Sequence, residues 1–503
     1  MRSVATAKSM SVKCAGRALR QAGFPPDADR GKPDLDGTPR LALRGTRQAH
    51  RSPDRVLFWR RMSTPAITMP HDHLSATPSV KQALDAARLA LREGRPTDAE
   101  ETMQGVLSAE PENMEILRVL GHAALARGNA GAAIEWLNRA AALDRNDIAL
   151  LLDLGVAYRI AERMDAARYV LERALELSRG RDTTARLLLA QVLEQDRRPE
   201  LALLHYFRAI LDAQHAGRWL DDETTEPGLR ILVRHAMAYV AHDRRAWLAA
   251  SLQPWRNDSS SGGLDRVERS LATYLRERND PPDDPRQRAG ILYVPGLGAT
   301  PVLENAHFEW MSALLTRVAS ATAEVEACLR SAHAEGSAAA PFSPLQPPTA
   351  APDDERCVSL LAGGHVTDIA RLHAPQLLTC LADTPLAKIP CYGPEASIVC
   401  IPPGVRTPIR HGPSNAHCRV AIALTGSGHG KIVVGGETFA LQEGSGMVFD
   451  PSFGATCFNP GEGEVRLLRF DIWHPRLSEL ERDALTALIL AIVDFDTRLQ
   501  ELA

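Results

Sequence analysis

The sequence predicts an α+β chain in two parts: an all-α superhelix of stacked helix pairs, then a double-stranded β-helix of the jelly-roll kind with flanking helices. Three observations carry this expectation. Small residues recur about every 34 residues between Val80 and Gln214. From Ile398 onward the texture changes to short β-type runs parted by Gly and Pro. Between these regions the helical pattern is broken at Asn257 to Gly263, a flexible loop, and at Pro281-Pro-Asp-Asp-Pro285, a stiff hinge.

A chain of 503 residues has room for two or three domains, and its 45% hydrophobic and 24% charged residues place it among globular proteins. A net charge of −4 with mixed signs gives no electrostatic reason to expect nucleic acid or an anionic membrane as partner. The eight cysteines are scattered without a CxxC pair, so a reducing, cytoplasmic setting is the simpler expectation than a disulfide framework or a zinc site. The richest apolar stretch, Ala484 to Val493, is too short to span a membrane.

Residues 1–70 are expected to form an extension without a fold of its own, because its first sixty residues are rich in Arg, Pro, Gly and Asp and lack a sustained period. The Arg-rich, acid-poor start fits a transit peptide but has no apolar core of a secretory signal. Translation beginning at Met62 or Met69 is an equally open reading.

Residues 80–214 carry the repeats. Ala99, Ala133 and Ala167 share the spacing, as do Gly121 with Gly155 and Ala140 with Ala174. Leu117, Leu120 and Ala124, then Leu151, Leu154 and Tyr158, supply apolar positions at helical spacing, and turns fall at Arg127 to Asn129 and Asp144 to Asn146. A fourth copy, with Leu187, Ala190, Leu193, Ala202 and Ala209, runs about one residue out of step, and Pro199 opens its second helix. This pattern resembles the tetratricopeptide repeat family, which implies a concave groove for a protein or peptide partner, or an array that only orients its neighbour.

Residues 222–286 read as a helical connector, with helices at Leu229 to Tyr239 and Val267 to Tyr274. The second domain is expected over residues 290–503. Ile291 to Leu297 reads as a short buried strand, Ala306 to Ala332 as one helix, and Ala338 to Asp354 as a mobile loop. Strands are expected at Ile398 to Ile401, Cys418 to Leu424, Lys431 to Val434, Met447 to Phe449 and Arg466 to Ile472, with a closing helix.

Pro295-Gly-Leu297, Pro403-Gly404, Gly412-Pro-Ser-Asn415, Val434-Gly-Gly-Glu437, Glu443-Gly444, Phe449-Asp450, Ser452-Phe453, Asn459 and Asp471-Ile-Trp-His-Pro475 together resemble the aspartyl/asparaginyl β-hydroxylase family. The resemblance covers roughly the last 210 residues and implies a cupin-like barrel of the Fe(II)/2-oxoglutarate dioxygenase kind. Its pattern places one metal histidine at Arg410 and another at Ala455, so neither expected ligand is present here. Among residues that would hold the keto acid only Arg419 matches; an expected His is Ala421 and an expected Arg is Val465.

His411, one place late, is the remaining candidate metal residue, but strand alternation turns it away from the side that Arg410 faces unless a bulge intervenes. Parity brings Arg410, Arg419 and Arg469 toward the interior, with Arg466 one place late; such guanidinium groups suit a small carboxylate or phosphate. The bland alternative is that they pair with Asp450, Glu437 or Asp471. His417 and His429 lie near turns and are expected to be exposed, while His474 and Cys457 read as structural. No Gly-rich phosphate loop, Ser/His/Asp arrangement or basic-aromatic surface stands out.

Three functions remain open: a metal-depleted module that binds a peptide, protein or acid, with no cofactor favoured; an active dioxygenase using Fe(II) and 2-oxoglutarate on Asp or Asn side chains; and a purely structural interaction scaffold.

Overall fold

The computed structural model describes residues 79–256, 263–334, 356–424 and 429–502. The expectations for residues 1–70, for most of the serine-rich break and for Ala338 to Asp354 lie outside the described residues. Two compact units divide near residue 245, and each is taken by itself.

The first unit is the helical array. Its helices are α1 (Val80–Arg92), α2 (Pro96–Leu107), α3 (Met114–Ala126), α4 (Ala130–Leu143), α5 (Ile148–Ile160), α6 (Met164–Leu177), α7 (Thr183–Gln195) and α8 (Pro199–His215), and the chain leaves the unit within α9 (Arg230–Ala250). Each start has a local cause. Asn113, Asn129, Asp147 and Asp182 accept backbone N–H groups at the first turns of α3, α4, α5 and α7, and Pro96 and Pro199 open α2 and α8.

Packing explains the recurring glycines. Gly121 and Gly155 are each the eighth residue of their helix, and Leu137 and Leu171 lie against them; a Cβ on Gly155 would stand 2.6 Å from Leu171 Cδ2. The helices of a pair therefore approach over a bare backbone, and each buried leucine contributes ~2–3 kcal/mol. The fourth copy is out of step as expected: α5 starts 34 residues after α3 (148 − 114), but α7 starts 35 after α5 (183 − 148). There the glycine's place is taken by Ala190 and the leucine's by Tyr206, both fully buried.

Polar ties also cross between helices. Asp153 on α5 accepts from Arg118 Nε at 2.6 Å and lies 2.8 Å from His122 Nε2, both on α3. Burial alone would raise its pKa, but His122 and Arg118 hold it below the ordinary value. Glu194 on α7 accepts from Tyr206 Oη at 2.7 Å on α8 and from His235 Nε2 at 2.8 Å on α9.

The second unit holds the barrel. Its strands are β1 (Val302–Leu303), β2 (Arg356–Ala362), β3 (His365–Val366), β4 (Ala396–Ile401), β5 (His417–Ala423), β6 (Lys431–Val434), β7 (Glu437–Ala440), β8 (Gly446–Phe449), β9 (Ala455–Phe458) and β10 (Val465–Trp473). They form a seven-stranded sheet, β1-β8-β5-β10-β4-β2-β3, facing a three-stranded sheet, β7-β6-β9, with every ladder antiparallel. Strand alternation divides the larger sheet cleanly. Cys418, Val420, Ile422, Leu468, Phe470 and Ile472 pack under α12 (Trp310–Ser320), α13 (Thr322–Ala334), α14 (Asp368–His373) and α15 (Pro375–Ala382). Ala421, Ala423, Val465 and Leu467 face the smaller sheet's Ile432 and Val434.

Two segments differ from the sequence expectation. Ala306 to Ala332 is a 3-10 turn at Asn305–His307 followed by α12 and α13, which break at Ala321. Ile291 to Leu297 makes no strand; it is held by a bridge between Leu292 and Ser414 and by Asn415, whose side chain accepts from Val294 N at 2.7 Å and donates to Val294 O at 2.8 Å. The chain around it packs with α11 (Asp265–Tyr274) and α16 (Glu479–Glu501) through Leu271, Leu292, Val294, Trp473 and Leu488. No helix among the described residues is long and apolar enough to cross a membrane.

Two measurements test this account. Gly155→Val is expected to cost about 1–3 kcal/mol by overpacking against Leu171, while Gly105→Ala on α2, where nothing lies within 4 Å, gains about 0.5–1 kcal/mol; amide hydrogen exchange in the affected pairs reads both. The Glu194–His235 tie is expected to respond to pH. Its hydrogen bond to Glu194 raises the His235 pKa above 6.5, so that contribution is full below 6.5 and lost as pH rises through the raised value. Burial pushes Glu194 up, but His235 and Tyr206 hold it below 4.5, so its contribution is full above 4.5 and lost as pH falls through the depressed value. Denaturant midpoints should therefore be most favourable between about 4.5 and 6.5, and His235→Gln should flatten the alkaline decline.

Candidate functional site

The interior of the barrel is built by register. Arg406 bridges Phe458 and Arg410 bridges Ala455, so four steps on one segment match three on β9 and one residue is extra. This irregularity sets Arg410 opposite Ala455, with N–H to O distances of 2.9 Å in both directions. Side chains of directly opposed residues share a face. Ala455 packs with the interior cluster of Val434, Phe449 and Phe453, so Arg410 and Ala455, the two places where the family pattern has metal histidines, point the same way.

His411 does not join them. Its Nδ1 donates to Ser452 O at 2.9 Å, and its ring lies against Gly454, whose φ of +73° and missing Cβ leave room for it. Among the described residues no group of three or more His, Cys, Asp and Glu side chains is placed to hold a metal ion. The donor chemistry does not fit iron: a guanidinium offers a fixed positive charge and no ligand lone pair, and a methyl group offers no donor.

On the larger sheet, Arg419 and Asp471 stand opposite each other. Arg419 Nε and Nη2 donate to the two oxygens of Asp471 at 2.8 and 2.9 Å, a two-pronged pair with 14% and 17% of the side-chain surfaces exposed. Burial would raise the Asp471 pKa, but Arg419 outweighs it and holds the carboxyl ionised. Arg469 is on the same face, two residues earlier, and its Nη2 lies 3.8 Å from Cys357 Sγ. Arg419 and Arg469 are thus brought together around Asp471.

Arg466 is not part of this group. The alternation of β10 puts it on the helix-covered side, where it pairs with Glu326 of α13 and, at 3.0 Å, with Glu464. The expected clustering of Arg466 with the other arginines is therefore corrected: a displacement of one residue moves it through the sheet. His417 is corrected as well. It is 4% exposed, lies 4.6 Å from the Trp473 ring, and is held neutral by burial, which lowers its pKa to about 4. His429 is exposed, as expected, and His474 and Asp450 are buried.

Glu395 was not legible as a member of the site. It precedes β4, accepts from Gly363 N at 2.7 Å, and its pKa is pushed up to about 7, first by burial and also by Asp471. Only the fold brings it beside a carboxylate 76 residues further along (471 − 395).

Comparison with known proteins follows the same division. Residues 84–148 match the tetratricopeptide repeat family model, and residues 334–475 match the aspartyl/asparaginyl beta-hydroxylase family model. "Aspartate beta-hydroxylase domain-containing protein 2" of Xenopus tropicalis is 35% identical over 97 residues, 19% of this chain and 26% of that protein. "Aspartate beta-hydroxylase domain-containing protein 1" of Mus musculus is 36% identical over 86 residues, 16% of this chain and 24% of that protein. The chain thus spans about a quarter of these curated relatives.

Among solved structures, a thermophilic TPR protein of Thermus thermophilus covers 31% of this chain and 81% of its own, with 22% identity and a TM-score of 0.27. The Schizosaccharomyces pombe Cnp3 cupin domain covers 16% of this chain and 56% of its own, with 19% identity and a TM-score of 0.15. At these scores neither likeness bears on function. Residues 334–475 thus match the aspartyl/asparaginyl β-hydroxylase family, and residues that match the tetratricopeptide repeat family precede them in the same chain.

Proposed function

We propose that the barrel is a metal-depleted member of its family that binds rather than oxidises, and that the helical repeats hold a protein or peptide partner. The observation that carries this reading is the bridged pair of Arg410 and Ala455, two interior-facing positions whose side chains supply no ligand for Fe(II). A second support is the Arg419–Asp471 pair, in which the guanidinium that the resemblance assigns to the keto acid already has a carboxylate of the chain itself. Stacked helix pairs present a concave face suited to an extended peptide, which supports a protein partner for the array. The reading places the chain in the cytoplasm, where thiols such as those of Cys328 and Cys400 stay reduced.

A second reading, Fe(II)- and 2-oxoglutarate-dependent hydroxylation of Asp or Asn side chains, is favoured by the family match of residues 334–475. Anaerobic addition of Fe(II), removal of excess, and assay of bound iron with 2-oxoglutarate-dependent succinate formation separate the two. Neither stoichiometric iron nor turnover is expected; finding both would sink the proposal and make His411 the first residue to examine.

Two variants sharpen the test. Arg410→His with Ala455→His places two imidazoles on opposed residues of one face and is expected to raise Fe(II) affinity over the parent protein; no gain would mean that more than these two positions has changed. Asp471→Asn strips Arg419 of its charged partner and is expected to cost about 3–5 kcal/mol, as breaking a buried pair does. In that variant succinate, offered at millimolar concentration, should raise the melting temperature more than in the parent.

A further inference from the structure

Position 186 departs from the pattern of the repeats. Leu117 and Leu151 are the fourth residues of α3 and α5, and both are buried in the core. The fourth residue of α7 is Arg186, with 3% of its surface exposed. A guanidinium in the place of a core leucine is costly unless its donors and its charge are met.

Only part of that demand is met within the chain. Arg186 Nη2 donates to Gly180 O at 3.1 Å. Its Nε is buried without a hydrogen-bond partner. Asp212, the carboxylate whose charge acts on Arg186, is engaged by Arg208, whose Nε lies 2.8 and 3.0 Å from its two oxygens.

The neighbours add positive charge rather than balance it. His205 on α8 also keeps a buried ring nitrogen, Nδ1, without a partner. Burial and, after it, the charge of Arg186 lower its pKa to about 4, so the ring is neutral and the two side chains are near each other. Arg218 donates to Thr183 Oγ1 at 2.8 Å, one turn before Arg186. The one carboxylate, Asp212, thus serves both Arg186 and Arg208, and Arg208 and Asp212 keep 17% and 25% of their side-chain surface toward solvent.

We propose that Arg186 Nε–H and His205 Nδ1–H hold a small oxyanion inside the last helix pair, with Arg208 and Arg218 supplying the surrounding positive field. The anion meets two orphaned donors at once and cancels a charge that no carboxylate among the described residues contacts directly. Phosphate, sulfate and a free carboxylate share this chemistry. Bound there, the anion ties α7 to α8, so the terminal copy becomes firmer when the anion is present.

The experiment is thermal denaturation of the full chain, with amide hydrogen exchange in α7 and α8, in inorganic phosphate, sulfate and acetate, each against chloride at matched ionic strength. A saturable rise in melting temperature and in protection of α7 and α8 is expected at millimolar concentration, and the strongest of the three probes identifies the source. Arg186→Leu, which restores the residue of the earlier copies, should lose the rise, and Arg186→Lys should keep part of it. No anion-specific rise in the parent protein, or an equal rise in Arg186→Leu, overturns the proposal. Where Arg186→Leu does not fold, His205→Ala decides: at least a tenfold loss of apparent phosphate affinity is expected, and unchanged affinity overturns the site.

Discussion

The register of β10 between β4 and β5 is the constraint on which the barrel depends. Phe470 opposite Val420 and Ala396 fixes the helix-covered face, and Arg469 opposite Ala421 and Ser397 fixes the interior one. A slip of one residue would drive Arg469 and Asp471 under the helices and bring Phe470 and Leu468 into the barrel. Arg419, Arg469 and Asp471 hold their places through that pairing. The loop before β4 follows from it too, since Ala387 N donates to Asp471 O at 3.0 Å.

Much of the architecture was legible in the sequence because it is periodic. The helix pairs announce themselves through Ala99, Ala133 and Ala167, and through Gly121 and Gly155, whose spacing repeats along the chain. The five β-type runs expected from Ile398 onward were legible for the same reason. What escaped is non-local. Arg356–Ala362 forms β2 only because β4 lies beside it, and the break between α12 and α13 depends on the packing of Val318, Ala321 and Val325 into one core. The charge state of Glu395 depends on Asp471 and Gly363, which nothing near residue 395 reveals.

The site shows the same limit in a sharper form. Counting along motifs located the two positions where the resemblance places metal histidines, yet only the pairing of the 406–410 segment with β9 shows that they stand opposed across a ladder. The two positions therefore share a face, while neither the guanidinium nor the methyl group there offers a metal a lone pair. Arg419 and Asp471 display a related economy: one carboxylate, fixed by the strand beside it, occupies the guanidinium that a bound acid would otherwise seek.

The extra residue of the fourth helix pair bears on how such an array can lengthen. Within the earlier pairs a bare glycine on the first helix receives a leucine from the second. In the last pair Ala190 fills the glycine's place, and Tyr206 is committed through its hydroxyl to Glu194, which also meets His235 of α9. Helix α9 adds Leu232, Val233 and Ala236 to the same core. The surface that a further copy would need is thus already taken, and α9 serves the array as its end cap.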